Sequence, residues 1–268
     1  MKKMSILFFA VFTVFLLAAC SRDDEVLRVG MDLRYPPFET EVDGEPEGIS
    51  VDVARAFGEF IGREVEIVNT NFAALIPSLN NNQIDIVIAS MSITEARAEV
   101  VDFSDPYFYF KIISLVNSEF ADDNDLDEDS TTEDILALED ASFVGIATQV
   151  SATIPESLGL NVTEATDLAS AVASVTQGTS DILMMSAFPV VNNHKANRDD
   201  TIVVWDPFQS SPIGMAVAKG NSELLAQANE FIASMSEPGG LYETLSAKWD
   251  EEITGILERY GLEFFINE

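Results

Sequence analysis

The sequence holds one cysteine and one histidine in 268 residues, and 14 basic residues against 46 acidic ones. A lone cysteine excludes an intramolecular disulfide, so the fold has to rest on its hydrophobic cores. The lone histidine, His194, lies in the polar run Asn192 to Asp200, where a surface loop or helix end is the plain expectation. With no nucleophile–base pair and no metal-ligating cluster in the sequence, neither catalysis nor a cofactor or metal is expected. The formal charge of −32 repels polyanions and excludes nucleic acid as a partner. It favours solubility and suits a saline medium that screens self-repulsion. A 47 % hydrophobic content fits a soluble chain long enough for two modest lobes.

The N-terminus stands apart. Lys2 and Lys3 precede an apolar run from Ile6 to Ala19, too short for a comfortable membrane span and suited to an export signal. Leu17-Ala18-Ala19-Cys20 resembles a lipobox, in which Cys20 is acylated as the new N-terminal residue; the alternative is a stray thiol in an ordinary secretory signal. Residues 1–20 are therefore expected to be a lipoprotein signal and 21–25 a tether. Removing the signal takes away two lysines and no acid, so the charge moves from −32 to −34.

Beyond the tether, apolar strand runs alternate with amphipathic helices, the rhythm of an α/β fold. Val26 to Met31 reads as the first strand. Ser50 is placed to cap a helix carrying Val53, Ala54, Phe57, Phe60 and Ile61 at helical spacing, with Gly62 just past its end. Glu64 to Val68 returns as a strand, and Pro77 is expected near the first turn of the next helix. From Glu119 to Asp134, nine of sixteen residues are acidic, with Ser130 and Glu133 forming a possible capping box. Asp123, Asp125, Asp127 and Asp134 mimic parts of a calcium loop, but Glu128 replaces the required glycine, so a solvated connector is expected. Ser142 to Ala147, Asp181 to Met185 and Thr201 to Trp205 read as strands, and Asp167 to Gln177 as a helix. No internal repeat is evident.

The segment Ile84 to Tyr107, IDIVIASMSITEARAEVVDFSDPY, carries the chemistry. Its apolar start reads as a strand buried on both faces, and Ser90 and Ser92 follow where that strand emerges. Thr94 is placed to cap a helix whose positive dipole end faces the same crevice. Arg97 follows, and its planar fork can take a carboxylate through two parallel bonds. An ordinary salt bridge from Arg97 to Glu95, Glu99 or Asp102 is the competing reading.

This segment resembles the signature of the bacterial extracellular solute-binding proteins of family 3, the receptors of polar amino acid ABC importers. Arg28 to Phe38 (RVGMDLRYPPF), Gly48 to Ala54 (GISVDVA), Leu75 to Asp85 (LIPSLNNNQID) and Gly240 to Trp249 (GLYETLSAKW) resemble further blocks of that family in the same order. The resemblance implies an α/β, two-lobed, periplasmic-binding-protein-like (type II) fold with a hinge and an inter-lobe ligand cleft. It implies one lobe from 26–110 plus 209–268 and a second from 111–208, with crossings near Phe110 and Gln209.

The resemblance also implies a pocket. Asp32 and Tyr35 follow the first strand, and Tyr35 and Phe72 would wall the ligand. Ser90 would meet an α-amine, Ser92 and Arg97 the α-carboxylate, and Thr148 and Ser151 would add hydroxyls from the second lobe. Thr148-Gln149-Val150-Ser151 departs from the family's usual glycine with paired hydroxyl residues. Where the family usually carries an aspartate for the ligand's ammonium, this chain has Ser186, so either another acid such as Asp32 compensates or the ligand lacks an α-amine. The function implied is a lipid-anchored, monomeric receptor on the outer face of a cell membrane. It closes over an amino acid or related small carboxylate and presents it to a permease. A ligand-sensing module and a cyclohexadienyl-dehydratase-like enzyme are the alternatives.

Overall fold

A computed structural model describes residues 26–147 and 149–267. The signal, the tether and Cys20 lie outside the described residues, as does Thr148. The chain divides into two compact units, one formed by the chain up to Asp105 with Gly214–Leu241, the other by Pro106–Ile213 and the chain from Tyr242 onward. No helix among the described residues is long and apolar enough to cross a membrane.

The first unit is built on a five-stranded sheet in the order Glu64–Asn69, Val26–Met31, Ile86–Val87, Ala216–Ala218, Val101–Phe103. Glu64–Asn69 and Ile86–Val87 both run parallel to Val26–Met31, with Met31 opposite Asn69 and Gly30 opposite Val87. Three neighbouring strands therefore end on the same edge, and the segments after Met31, Asn69 and Val87 emerge side by side. In open α/β sheets that edge is where ligands bind. Ile84, Ile86, Val87, Ile88 and Ala89 are all buried, as the apolar run requires, although only Ile86–Val87 keeps regular strand pairing.

Several expected boundaries shift. The helix Ile49–Ile61 starts after Gly48, with no side-chain cap; Ser50 lies inside its first turn, fully buried. Gly48 has φ +129, and a Cβ there would collide with the Phe38 carbonyl, so the chain turns into the helix on a conformation that favours glycine. Val53, Ala54 and Phe57 face the core, Phe60 is exposed, and Gly62 closes the helix in the left-handed region. Pro77 sits inside the helix Phe72–Asn80, past its first turn.

The second unit carries its own five-stranded sheet, ordered Thr201–Ile213, Phe108–Asn117, Ile182–Ser186, Phe143–Ile146, Val162–Ala165. Ile112, Val116, Phe143, Ile154, Ile182, Met184 and Val204 form its buried core. Thr201–Ile213 is far longer than the expected strand because it continues past an irregularity between Val204 and Gln209. Asp167 caps the helix Leu168–Thr176 through a reciprocal box with Ser170. In the acidic connector the capping box is Thr131 with Asp134, one residue later than expected, while Ser130 accepts the Asp127 N–H. No group of three acidic, cysteine or histidine side chains able to hold a metal occurs among the described residues.

The C-terminal segment corrects the expected domain boundary. The chain from Tyr242 belongs to the second unit and not, as expected for 209–268, to the first. The reason is aromatic packing: Phe265 stacks on Phe188 at 5.2 Å and meets Phe110 edge-on at 5.6 Å, while Tyr260 packs against Trp205 at 5.4 Å. Lys111 ties down the end of the chain by donating to the Asn267 carbonyl at 2.6 Å. The chain thus passes between units three times, at Asp105/Pro106, Ile213/Gly214 and Leu241/Tyr242, and not near Phe110 and Gln209.

Candidate ligand-binding site

Six of the expected site residues gather at the carboxyl edge of the first sheet. Asp32 and Tyr35 follow Val26–Met31, Phe72 opens the helix after Glu64–Asn69, and Ser90, Ser92 and Arg97 follow Ile86–Val87. Asp32 accepts two bonds from Arg34, each at 2.6 Å, and the Phe72 N–H at 2.8 Å. The Arg34 bonds, with the Phe72 N–H adding and burial opposing, hold the Asp32 carboxyl below its usual range. Asp32 is thereby engaged by Arg34 and by the start of the helix. Tyr35 is half-buried and exchanges two main-chain bonds with Glu39.

Arg97 is the centre of the arrangement. Thr94 caps the turn Glu95–Ala98, its hydroxyl accepting the Arg97 N–H at 3.3 Å. That helix is a single turn, so its dipole adds little, and the guanidinium itself carries the anion chemistry. Arg97 Nη1 donates to the Ser92 carbonyl at 2.8 Å, and the guanidinium lies 5.3 Å from the Phe72 ring centroid. Among the described residues no carboxylate comes within ion-pair distance of it. Asp102, one of the expected competitors, pairs instead with Lys219 at 3.0 Å, and Glu95 and Glu99 are exposed. Burial pushes the Arg97 pKa down, the mark of a cation partly stripped of water and given no anion in return. A carboxylate arriving at the remaining donors would recover that cost through charge-assisted bonds.

Two residues of this neighbourhood were not expected from the sequence. Arg34 orients Asp32. Glu39, 1 % exposed, accepts the Ser90 hydroxyl at 2.7 Å. Ser90 itself sits at φ +50, uncommon for a residue with a side chain. Glu39 follows Phe38 directly in a Pro-Pro-Phe-Glu run.

The second-unit residues behave differently. Ser151 is fully buried and its hydroxyl accepts the Ile146 N–H at 2.9 Å, closing the turn between the strand Phe143–Ile146 and the helix Val150–Ser157. Its hydroxyl thus has a structural role within its own turn. Ser151→Ala is predicted to strand that N–H and lower thermal stability by about 1–3 kcal/mol, measured by denaturant unfolding. Ser186 is half-buried at the end of its strand, and it precedes the helix Ala187–Ala196 without making a capping bond. His194, in that helix, bonds Thr201 Oγ1 at 3.1 Å, and burial lowers its pKa. It borders a depression of about 250 Å³ whose Arg198 and Glu258 already pair with each other at 2.8 Å.

A model of the bacterial extracellular solute-binding proteins, family 3, matches residues 27–252. The chain belongs to that family. It is 28 % identical over 225 residues to the L-cystine-binding protein TcyJ of Escherichia coli strain K12, covering 83 % of this chain and 82 % of the relative. Among solved structures, an ancestral arginine-binding protein bound to arginine is 30 % identical with a TM-score of 0.63, over 84 % of this chain and 98 % of the other. The ancestral amino acid-binding protein AncCDT-1, described as a precursor of cyclohexadienyl dehydratase, is 29 % identical with a TM-score of 0.65, over 85 % and 96 %. These relatives are two-lobed amino acid-binding proteins, and this family 3 chain shares their α/β fold.

Proposed function

We propose that this family 3 protein is the extracytoplasmic, monomeric substrate-binding component of an ABC importer, and that it binds an amino acid or related small carboxylate through Arg97. The observation that carries the reading is the Arg97 guanidinium, held by the Ser92 carbonyl and the Phe72 ring with no carboxylate partner among the described residues. Ser90 and Ser92 flank it, and Tyr35 and Phe72 supply apolar walls. Thr148 and Ser186 are further ligand contacts in this reading, and the protein presents its ligand to the permease. Relatives named for arginine and cystine binding support an amino acid as the ligand class. Binding is favoured over catalysis because the relatives of this family are named as binding proteins.

Thermal-shift screening against L-arginine, L-glutamine, L-cystine and their 2-oxo acid counterparts tests the ligand class, since a ligand of the folded form alone raises the melting temperature. With Asp32 committed to Arg34, the amine half of recognition lacks its usual anion. Ser186→Asp is predicted to tighten binding of α-amino acids by about tenfold, the order of one added charge-assisted bond, in calorimetry. No gain across the amino acids would place the amine elsewhere.

We also assign Cys20 as the acylated anchor. Cys20→Ser is predicted to move the protein from the membrane fraction to the soluble fraction, and unchanged partitioning would remove the anchor from the account.

A further inference from the structure

We infer that Glu39 is a positioning residue of the ligand site, and that one proton on its carboxyl links Ser90 to Ser50 and so holds the loop that presents Ser90, Ser92 and Arg97. The inference rests on the ligand reading above for its consequence and on geometry for its substance. Glu39 is buried, and among the described residues no cation pairs with it. The Ser90 hydroxyl donates to Oε1 at 2.7 Å. The Ser50 hydroxyl is fully buried, acts on the same carboxyl, and among the described residues has no settled hydrogen-bond partner. An ionised carboxylate here would be a buried charge without a counter-ion. A neutral acid has one O–H to give, and the Ser50 oxygen is the acceptor waiting for it. One proton therefore satisfies two buried groups: Ser90 donates to Glu39, and Glu39 donates to Ser50.

The sequence makes this meeting possible. Gly48 turns the chain so that Ser50 N–H reaches the Phe38 carbonyl at 2.9 Å, which sets the first turn of the helix Ile49–Ile61 beside Glu39. The link then runs from that helix through Glu39 to Ser90, whose φ of +50 it stabilises, and on to Ser92, whose carbonyl holds Arg97. Charged groups on the surrounding elements include Asp32 and Arg34 after the first strand, Glu41, Glu45 and Glu47 of the hairpin that follows Glu39, Asp52 and Arg55 of the helix, and Arg97. Burial raises the Glu39 pKa to about 8 and the nearby negative charge of Asp32 adds to it; the two serine hydroxyls oppose the shift by donating to the ionised carboxylate, and on protonation of Glu39 the Ser50 hydroxyl turns from donor to acceptor.

The test needs no ligand in its first arm. Amide signals of Ser90, Met91 and Ser92, followed by NMR from pH 6.5 to 9.5, are expected to titrate together in the natural protein. They should stay flat in Glu39→Gln, whose amide keeps one acceptor and one donor. Signals that do not move, or that move equally in Glu39→Gln, overturn the inference whatever the ligand. In the second arm, calorimetry with L-arginine, L-glutamine and L-cystine compares pH 6.5 with pH 9.5. An amino acid that binds the natural protein should lose tenfold or more of its affinity at the higher pH relative to Glu39→Gln. Glu39→Ala should lose affinity at both pH values, and Glu39→Gln should restore it at pH 6.5. Equal pH dependence in the natural protein and Glu39→Gln overturns the link to the site. Absence of binding by all three amino acids beside a clear amide titration counts against the amino-acid ligand alone, because the titration has by then supported the proton on Glu39.

Discussion

Arg97→Ala abolishes ligand binding while leaving the fold intact. The side chain is partly buried, pairs with no acid among the described residues, and bonds only a neighbouring carbonyl, so its removal costs the folded protein little. Its guest loses much more. A carboxylate that enters this site exchanges water for the guanidinium, and without that cation it is left desolvated and unpaired. Truncating one partner of such a pair costs about 2–5 kcal/mol, which is thirtyfold to several-thousandfold in affinity. Calorimetry with the strongest ligand of the thermal-shift panel measures the loss, and circular dichroism checks the fold. Arg97→Lys separates charge from geometry: it keeps the cation but cannot make two parallel bonds, so an intermediate loss is expected. Affinity retained in Arg97→Ala would mean that the carboxylate is held elsewhere.

Replacing Glu39 by glutamine changes how stability depends on pH. In the folded chain Glu39 titrates near 8, whereas an exposed glutamate titrates near 4.5. Between those values the folded state keeps a proton that the unfolded state releases, so raising the pH favours unfolding. The slope is about 1.4 kcal/mol per pH unit across that window, and below 4.5 or above 8 the residue contributes none. Asp32, Asp85 and Asp102, whose pKa values are lowered on folding, act in the opposite sense, but only at acid pH where they take up protons. Their contribution cancels when the natural protein is compared with Glu39→Gln. From pH 5.5 to 7.5 the natural protein is therefore expected to lose about 2–3 kcal/mol relative to the variant, read from urea unfolding at both pH values. Parallel profiles would show that Glu39 ionises as an ordinary glutamate.

Much of the fold was legible because short-range patterns and packing agree. Val26–Met31 and Asp167 with its helix follow from alternation and from a capping residue that has no better local use. Where two candidate caps stand side by side, as Ser130 and Thr131 do, pattern alone leaves the register open by one residue, and the backbone chose the pair Thr131–Asp134. The C-terminal helices show the larger limit. The resemblance picks out Gly240 to Trp249 as a family block, but the partners of Tyr260 and Phe265 are Trp205, Phe110 and Phe188, distant in sequence.

The site divides the same way. Thr94 as a cap and Arg97 beside the emerging strand were readable from spacing. That Arg97 avoids its acidic neighbours was not, because it depends on Lys219, over a hundred residues away, taking Asp102. Asp32 and Ser151 came as ligand contacts from the family resemblance, and the internal partner of each, Arg34 and the Ile146 N–H, was not readable from it. Glu39 was missed because a glutamate at the start of a polar hairpin ordinarily faces water. Only the turn at Gly48, which folds the next helix back over Phe38, buries it.

On this reading the Arg97 guanidinium is reserved for a guest's acid group. The most direct measurement is a crystal structure grown with the panel acid that most raises the melting temperature. The account predicts both carboxylate oxygens of that acid on the Arg97 fork, at about 2.7–2.9 Å. A ligand carboxylate bound away from Arg97, or an Arg97 side chain closed onto an acidic residue of the protein itself, would contradict it.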